Sequence, residues 1–472
     1  MADVFNTIKN CALFEGFSEL EILSILSELG YSIKSYPAGE TVYHDDLDKP
    51  GSLGCVYLIL AGEVSLALLR DTVLEHQLRI LKAGNMFGVV LAFSKIPHIA
   101  YSYQTLSETV LMRIPVAFFG GASRRTGRLL HTRVLLNFLK ITEDKAVFLY
   151  QKISCLKSLT VRERIVKYLS TLDEDMPQHP GYTRSQLANY LGISREALSR
   201  GLSGMQKEGL IEKEGGGIRI VEPSAFLPPQ TPETPPKNRR FSICKLPDIS
   251  TISTLALFEH LSPAEISRFL QLTHAKCIHV PEGEFLYRRG AAEGNLYILL
   301  QGTLSLLFEE NTHPHLISQL EKGDITGDTA FFSSKHHFDI SCKAYTDSMI
   351  LVIQGEAFLS PFTGGLEGQE AILYNLFTLI SRKISALRDK VHLLSNPAAR
   401  QRILWYLYSL QQRYRTSVLT PPLNREHMAQ YLGISRPALC KELRILEEQQ
   451  ILRVRRNTFE IIQAEQMEPL RF

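Results

Sequence analysis

The chain has 472 residues, more than one hydrophobic core accommodates, so at least two domains are expected. Hydrophobic residues make up 44% and charged residues 21%, as in ordinary soluble protein, and the absence of 18 uninterrupted apolar residues argues against a membrane-spanning helix. A formal net charge of only +3 means that any nucleic-acid contact must rest on local positive charge.

The start, Met-Ala-Asp-Val-Phe-Asn, lacks the basic and apolar regions of a signal peptide, so a cytoplasmic location is expected. Seven cysteines, odd in number and scattered, do not form a disulfide framework, a zinc finger or an iron–sulfur motif. They read as buried or incidental thiols. No nucleophile triad, phosphate loop or paired-carboxylate motif is present, which argues against an enzyme.

The chain repeats itself. Ala12-Leu-Phe-Glu-Gly-Phe-Ser18 returns as Ala256-Leu-Phe-Glu-His-Leu-Ser262, and the run Tyr57–Leu66 returns as Tyr297–Leu306. Ala83–Gly88 returns as Lys322–Gly327, and Tyr-Leu-Gly-Ile-Ser-Arg occurs at Tyr190–Arg195 and at Tyr431–Arg436. Four landmarks in one order, at offsets of 244, 240, 239 and 241, identify a tandem duplication of a unit of about 210–220 residues.

Each copy opens with a short helix, expected at Ser18–Leu29 and Ser262–Leu272. Short β-rich runs punctuated by glycine follow, in the first copy Ser35–Tyr43, Cys55–Ala61, Glu63–Leu69, His76–Lys82 and Thr105–Ile114, which predict a small β-barrel or roll. A long helix comes next, at Arg128–Leu156 and at Glu367–Leu394. Leu129, Leu130, Val134, Leu135, Phe138 and Ile141 recur at three- and four-residue spacing, as do Ile372, Leu376, Leu379, Ile380, Ile384, Leu387 and Val391. Stripes sustained for about four turns predict a helix–helix seam. Between the copies, Pro223 to about Ser250 is rich in proline and reads as an extended linker.

The repeated Tyr-Leu-Gly-Ile-Ser-Arg lies within a two-helix pattern. A small residue (Ala188, Ala429) stands four positions before a glycine (Gly192, Gly433), and a core leucine (Leu198, Leu439) follows six positions later. Helices crossing sharply need such a close approach and such a turn. Ser194 and Ser435 stand where an N-cap would begin the second helix, the candidate DNA reader. The runs Leu210–Val221 and Ile451–Ile462 then read as strand–turn–strand, completing a winged helix.

A β-roll, a long helix and a winged helix-turn-helix in this order resemble the cyclic-AMP receptor protein/Fnr (Crp/Fnr) family of bacterial transcription regulators. The resemblance covers nearly the whole chain, twice. It implies an α+β fold with two copies of a cyclic-nucleotide-binding-like roll, a dimerisation helix and a winged helix-turn-helix. The expected divisions are 1–121, 122–156 and 157–222 for these parts in the first copy, a linker over 223–250, then 251–360, 361–394 and 395–472. In the family two subunits pair through the long helices, so the resemblance implies intramolecular pairing of the two copies, the alternative being a dimer of tandem chains. It also implies double-stranded DNA and RNA polymerase as partners.

On the first recognition helix Arg195, Glu196, Ser199 and Arg200 share one face, and the arginines and glutamate suit guanine and cytosine edges in a major groove. The pattern resembles that of the Fnr branch. The second helix keeps Arg436, but Pro437 replaces the glutamate, Cys440 the serine and Lys441 the second arginine. Lysine cannot form the arginine fork, so the halves are expected to prefer different half-sites. A protein-interaction or small-molecule module with a degenerate helix-turn-helix is the competing reading.

Family members that bind cyclic nucleotide grip it with a Gly-Glu pair and an arginine ten residues on. Here Gly88 is followed by Val89, with Ile99 at the arginine position, and Gly327 by Asp328, with Phe338 there. Cyclic nucleotide is therefore not expected, which leaves a different small-molecule effector or none. His274, His279, His313, His315, His336 and His337 with Cys277 and Cys342 match no metal-binding spacing, and no cofactor or metal is expected.

Overall fold

The computed structural model describes residues 2–44, 54–68, 76–93, 101–120, 128–157, 160–169, 183–214, 217–221, 241–291, 294–309, 315–332, 337–358, 368–396, 398–421 and 423–463. It divides into two compact units. One gathers Met1–Leu66, Arg79–Val147 and Asn238–Leu387, and the other Ala67–Leu78, Phe148–Lys237 and Arg388–Phe472. Among the described residues no helix is long and apolar enough to cross a membrane.

In the first copy Ser18 and Glu21 exchange hydrogen bonds as a capping box and start the helix Glu19–Glu28. The roll is built from β1 (Ser32–Tyr36), β2 (Thr41–His44), β3 (Cys55–Ala61), β4 (Glu63–Leu68), β5 (His76–Lys82), β6 (Met86–Phe87), β7 (Tyr101–Thr105) and β8 (Thr109–Pro115). They form two four-stranded sheets, ordered β1-β8-β3-β6 and β2-β7-β4-β5. The expected single runs Ser35–Tyr43 and Thr105–Ile114 each span a corner, at residues 37–40 and 106–108, where the chain changes sheet. The wing of this copy consists of β9 (Ile211–Glu214) and β10 (Gly217–Ile220).

Residues 223–240 of the expected linker lie outside the described residues. Its end is not linker. Ser242–Cys244 forms β11, antiparallel to β12 (Lys276–Val280), and adds a strand to the second roll. No burial pattern announced it, because Ile243 at its centre is exposed and the strand is held by backbone pairing. The rest of that roll is β13 (Phe285–Tyr287), β14 (Asn295–Gln301), β15 (Leu304–Phe308), β16 (His315–Leu320), β17 (Ile325–Thr326), β18 (Ser341–Ala344) and β19 (Ser348–Gln354), in sheets ordered β11-β12-β19-β14-β17 and β13-β18-β15-β16.

Aromatic rings fill both rolls. In the first, Tyr57, Phe87 and Tyr103 stack in sequence with centroids 4.8 and 4.5 Å apart. In the second, Tyr287 stacks on Phe338 at 3.8 Å and on Tyr297 at 5.9 Å. Full burial of one such ring contributes about 1.5–3 kcal/mol.

The long helices run over Arg128–Lys157 and Gln369–Ser395. Their apolar stripes meet within the first unit. Phe377 of the second helix lies 5.1 Å from Phe138 of the first and 5.5 Å from Phe93 of the first roll. Each helix also holds its own copy by one asparagine. Asn137 donates to the Leu13 and Glu15 carbonyls, and Asn375 donates to those of Leu257 and Glu259, all within the repeated Ala-Leu-Phe-Glu. A further helix stands before each helix-turn-helix, Val161–Leu169 and Ala399–Tyr414.

Candidate nucleic-acid interface

The helix-turn-helix of the first copy comprises Arg184–Leu191 and Arg195–Lys207, and that of the second Arg425–Leu432 and Arg436–Glu448. Leu187, Ala188, Leu191, Leu198, Leu202 and Met205 pack with Ile165, Leu169 and Cys155 into one core. Met428, Ala429, Leu432, Leu439, Leu443 and Leu446 are buried correspondingly. Gly192 and Gly433 occupy the left-handed region at φ +61° and +64°. A Cβ on either would stand 3.0–3.1 Å from a leucine methyl, of Leu156 or Leu394, so a side chain there would meet both a strained φ and a tight contact. Ser194 accepts from the Ala197 amide and Ser435 from the Ala438 amide, as N-caps.

An arginine on the preceding helix holds each turn. Arg164 Nη1 donates to the Leu191 and Gly192 carbonyls at 3.0 Å, and Arg402 Nη1 donates to those of Leu432 and Gly433 at 3.1 Å. These carbonyls end the first helix and lack intrahelical partners. Burial pulls both guanidiniums below their ordinary pKa, and Arg402 also feels the charge of Arg164. The sequence reading missed both arginines. The available signal was the repeated Arg-x-Arg-Ile of Arg162–Ile165 and Arg400–Ile403.

A lysine from each long helix lies beneath the same unit. Lys152 Nζ is 4.2 Å from the Tyr190 ring centroid, and Lys390 Nζ is 3.1 Å from that of Tyr431. Lys390 also donates to the Tyr431 carbonyl, whereas Lys152 Nζ has no hydrogen-bond partner among the described residues. Burial pulls Lys152 down to about 7.

Of the expected reading residues, Arg195, Glu196 and Arg200 are exposed and Ser199 is half-buried on the first recognition helix. Backbone and Ser194 hydroxyl hydrogen bonds at the helix start, then Arg195 and Arg200, hold the Glu196 carboxyl below its ordinary pKa. It is therefore an acceptor at neutral pH. On the second helix Arg436, Pro437, Cys440 and Lys441 are all exposed, and Arg436 lies 3.9 Å from Glu426. Pro437 sits in the first turn, where its missing N–H removes no helical bond.

The residues at the family's nucleotide positions are otherwise engaged. Gly88 and Gly327 have φ near +84° and +89°, Val89 is buried at the start of the helix Val89–Phe93, and Phe338 belongs to the aromatic stack. Asp328 is buried and bonds Lys383 of the second long helix, whose Nζ also lies 3.0 Å from Glu143 of the first. Burial and the neighbouring Asp328 push the Glu143 carboxyl well above its ordinary value, against the pull of Lys383. Ile99, His313 and His336 lie outside the described residues. Cys277 and Cys342 are buried on β12 and β18, in different sheets, and His279 is half-exposed beside Asp347. Among the described residues no three His, Cys, Asp or Glu side chains come together as a metal site.

A family model for the Crp-like helix-turn-helix domain matches residues 163–227 and again 401–470. One for the cyclic nucleotide-binding domain matches 33–125 and 277–362. The cyclic AMP receptor protein of Thermus thermophilus is 23% identical over 220 residues, 46% of this chain and 96% of that protein. The fumarate and nitrate reduction regulatory protein of Vibrio cholerae is 24% identical over 225 residues, 46% of this chain and 87% of that one. Among solved structures, a CooA mutant from Carboxydothermus hydrogenoformans aligns with 17% identity and a TM-score of 0.38, covering 48% of this chain and 96% of that one.

Proposed function

The chain belongs to the Crp/Fnr family of DNA-binding transcription regulators, as two fused units, and from that premise we propose that it acts as its own dimer, reading an imperfect palindrome without cyclic AMP. One observation carries the reading. The two helix-turn-helix frames agree down to the turn arginine, while the exposed residues on their recognition helices differ.

Arg195 and Arg200 suit guanine, and Glu196 suits a cytosine amino group, each good base contact being worth about 1–3 kcal/mol of discrimination. Arg436 retains one such contact. Lys441 offers a point charge in place of a fork, Cys440 only a weak donor, and Pro437 nothing polar. With half-site centres about 34–36 Å apart, one helical turn, the chain covers a two-part operator asymmetrically. RNA polymerase is the partner through which such a protein would change transcription in the cytoplasm.

The rolls take no cyclic nucleotide on this reading. Gly88, Val89 and Ile99 supply neither the carboxylate nor the arginine, and in the second roll Asp328 is bonded to Lys383 while Phe338 replaces the cation. Any small-molecule effector binds elsewhere or by other chemistry.

Selecting duplexes from a random library with the full chain tests the reading. The expected winners contain two unlike half-sites, and Arg200→Ala erases preference in one half alone. Tighter binding to a perfect palindrome of the first half-site would overturn it, and failure to select any duplex would favour a protein-interaction module. Addition of cyclic AMP is expected to leave thermal stability and DNA affinity unchanged.

A further inference from the structure

We infer that the wing of the second copy is a phosphate clamp that compensates for the weaker recognition helix beside it, so that the first copy supplies most base reading and the second most backbone grip. The inference rests on the DNA-binding reading and goes beyond it in assigning residues and a division of labour.

The two wings have the same register and different charge, the first formally neutral and the second with two more basic than acidic residues. In the second, β21 (Leu452–Arg455) pairs with β22 (Thr458–Ile461), Arg453 opposite Glu460 and Arg455 opposite Thr458. In the first, Glu212 stands opposite Arg219 and Glu214 opposite Gly217. Among the described residues both wings carry a cross-strand ion pair, with the partners exchanged: Arg453–Glu460 at 3.0 Å and Arg219–Glu212 at 2.5 Å. What is left over differs. By sequence the first wing carries one further lysine and one further glutamate, so no net charge, whereas the second carries Arg455 and Arg456. Both arginines are exposed.

The second wing is also rigidly built. Arg456 holds φ at +51°, a left-handed turn conformation that costs a non-glycine residue about 1–3 kcal/mol. The corresponding position in the first copy is Gly215. The strained tip is pinned from below. Arg425 Nη2 donates to the Arg456 carbonyl at 2.6 Å, with its guanidinium over the Phe459 ring at 4.5 Å. Asn457 Nδ2 donates to the Pro421 and Leu423 carbonyls at 3.0 and 3.2 Å. A third strand, β20 (Val418–Leu419), pairs with β22 and braces the hairpin. Two unneutralised guanidiniums at a braced tip, one of them on backbone that glycine would adopt at lower cost, suit phosphate oxygens, for which arginine is the preferred fork.

The test measures affinity against salt concentration for the full chain on two duplexes: one selected by it from a random library, and one of random sequence. Each phosphate contact contributes about 0.9 to the slope of log K against log salt. Arg455→Ala with Arg456→Gly should lower the slope by about 1.8 on both duplexes, on the order of a tenfold difference in salt sensitivity between 50 and 200 mM, and leave base preference intact. Arg456→Gly alone should keep or raise the melting temperature while weakening binding, which separates a contact from a folding defect. Glu214→Arg should raise the slope by about 1. Wild-type binding with slopes that none of these variants moves would overturn the inference and leave the DNA-binding reading standing. A wild type that binds neither duplex overturns both.

Discussion

Arg164 and Arg402 do the same thing in the two copies: each bonds the last two carbonyls of a helix-turn-helix turn. Asn137 and Asn375 repeat a clamp on the opening turn, Gly192 and Gly433 a left-handed corner, and Ser194 and Ser435 a cap. At other positions the copies part company. Val89 stands against Asp328, Glu143 against Ser381, Glu196 against Pro437, Arg200 against Lys441 and Glu214 against Arg455. The shared residues bond their own copy's backbone, whose geometry both copies must reproduce. Among those that differ, Glu143 bonds Lys383 of the other copy and the recognition-helix residues are exposed, and a single chain has no need to keep such positions alike. A homodimer could not make this distinction, because one gene position would set both sides.

The largest expected effect concerns the Glu143–Lys383–Asp328 cluster, whose two carboxylates are replaced by Ser381 and Val89 at the corresponding positions of the opposite copies. Lys383→Met leaves two buried carboxylates without their cation and should cost about 3–5 kcal/mol in denaturant unfolding. Ser381 holds the place of Glu143 in the second copy, its hydroxyl has no hydrogen-bond partner among the described residues, and Ser381→Ala should cost under about 1 kcal/mol. Equal costs would break the comparison.

Arg164→Ala and Arg402→Ala probe the shared frame. Each removes a charged donor from two carbonyls and should cost about 1.5–3 kcal/mol, and the two values should agree within about 1 kcal/mol. A larger gap would show that the frames are not equivalent.

Restoring the first copy's residues in the second, with Pro437→Glu and Lys441→Arg together, should move preference toward a perfect palindrome by about 1–3 kcal/mol in competition binding. An unchanged preference would mean that residues other than these set the asymmetry.

The smallest effect concerns the buried lysines. Burial holds Lys152 near 7 in the folded state, below its unfolded value, so its contribution to stability is complete above the unfolded pKa and is lost as pH falls from about 10 toward 7. Lys152→Met should therefore gain stability over wild type across that window, on the order of 1 kcal/mol or more at pH 7. Burial and the charges of Lys157 and Arg402 pull Lys390 well below its ordinary value despite its bond to the Tyr431 carbonyl, so Lys390→Met should gain at least as much. Melting temperatures measured from pH 7 to 10 decide between the two.

Much of this was legible in the residues. The duplication, the long helices, the turn glycines and the serine caps each follow from a local rule, so Ser194 and Ser435 could be placed as caps from the sequence alone, whereas Ser18, expected inside its helix, proved to be the cap. Strand β11 escaped because an exposed extended segment carries no alternation, and Arg164 escaped because its partners are carbonyls some 27 residues away that any sequence supplies. The Asp328 position shows the limit most clearly. Its identity argued against a nucleotide, but its bond to Lys383, beside a carboxylate from the other copy, depends on which faces of two helices meet.

By itself, then, the sequence determined a duplicated α+β regulator with two unequal recognition helices, because periodicity, caps and turn glycines act over a few residues. Only the tertiary structure decided which rings fill the rolls, which charges join the copies and which arginines remain unneutralised at the second wing. Those outcomes rest on contacts between residues far apart in the chain, and an arginine's charge becomes available or spent only once its neighbours in space are known.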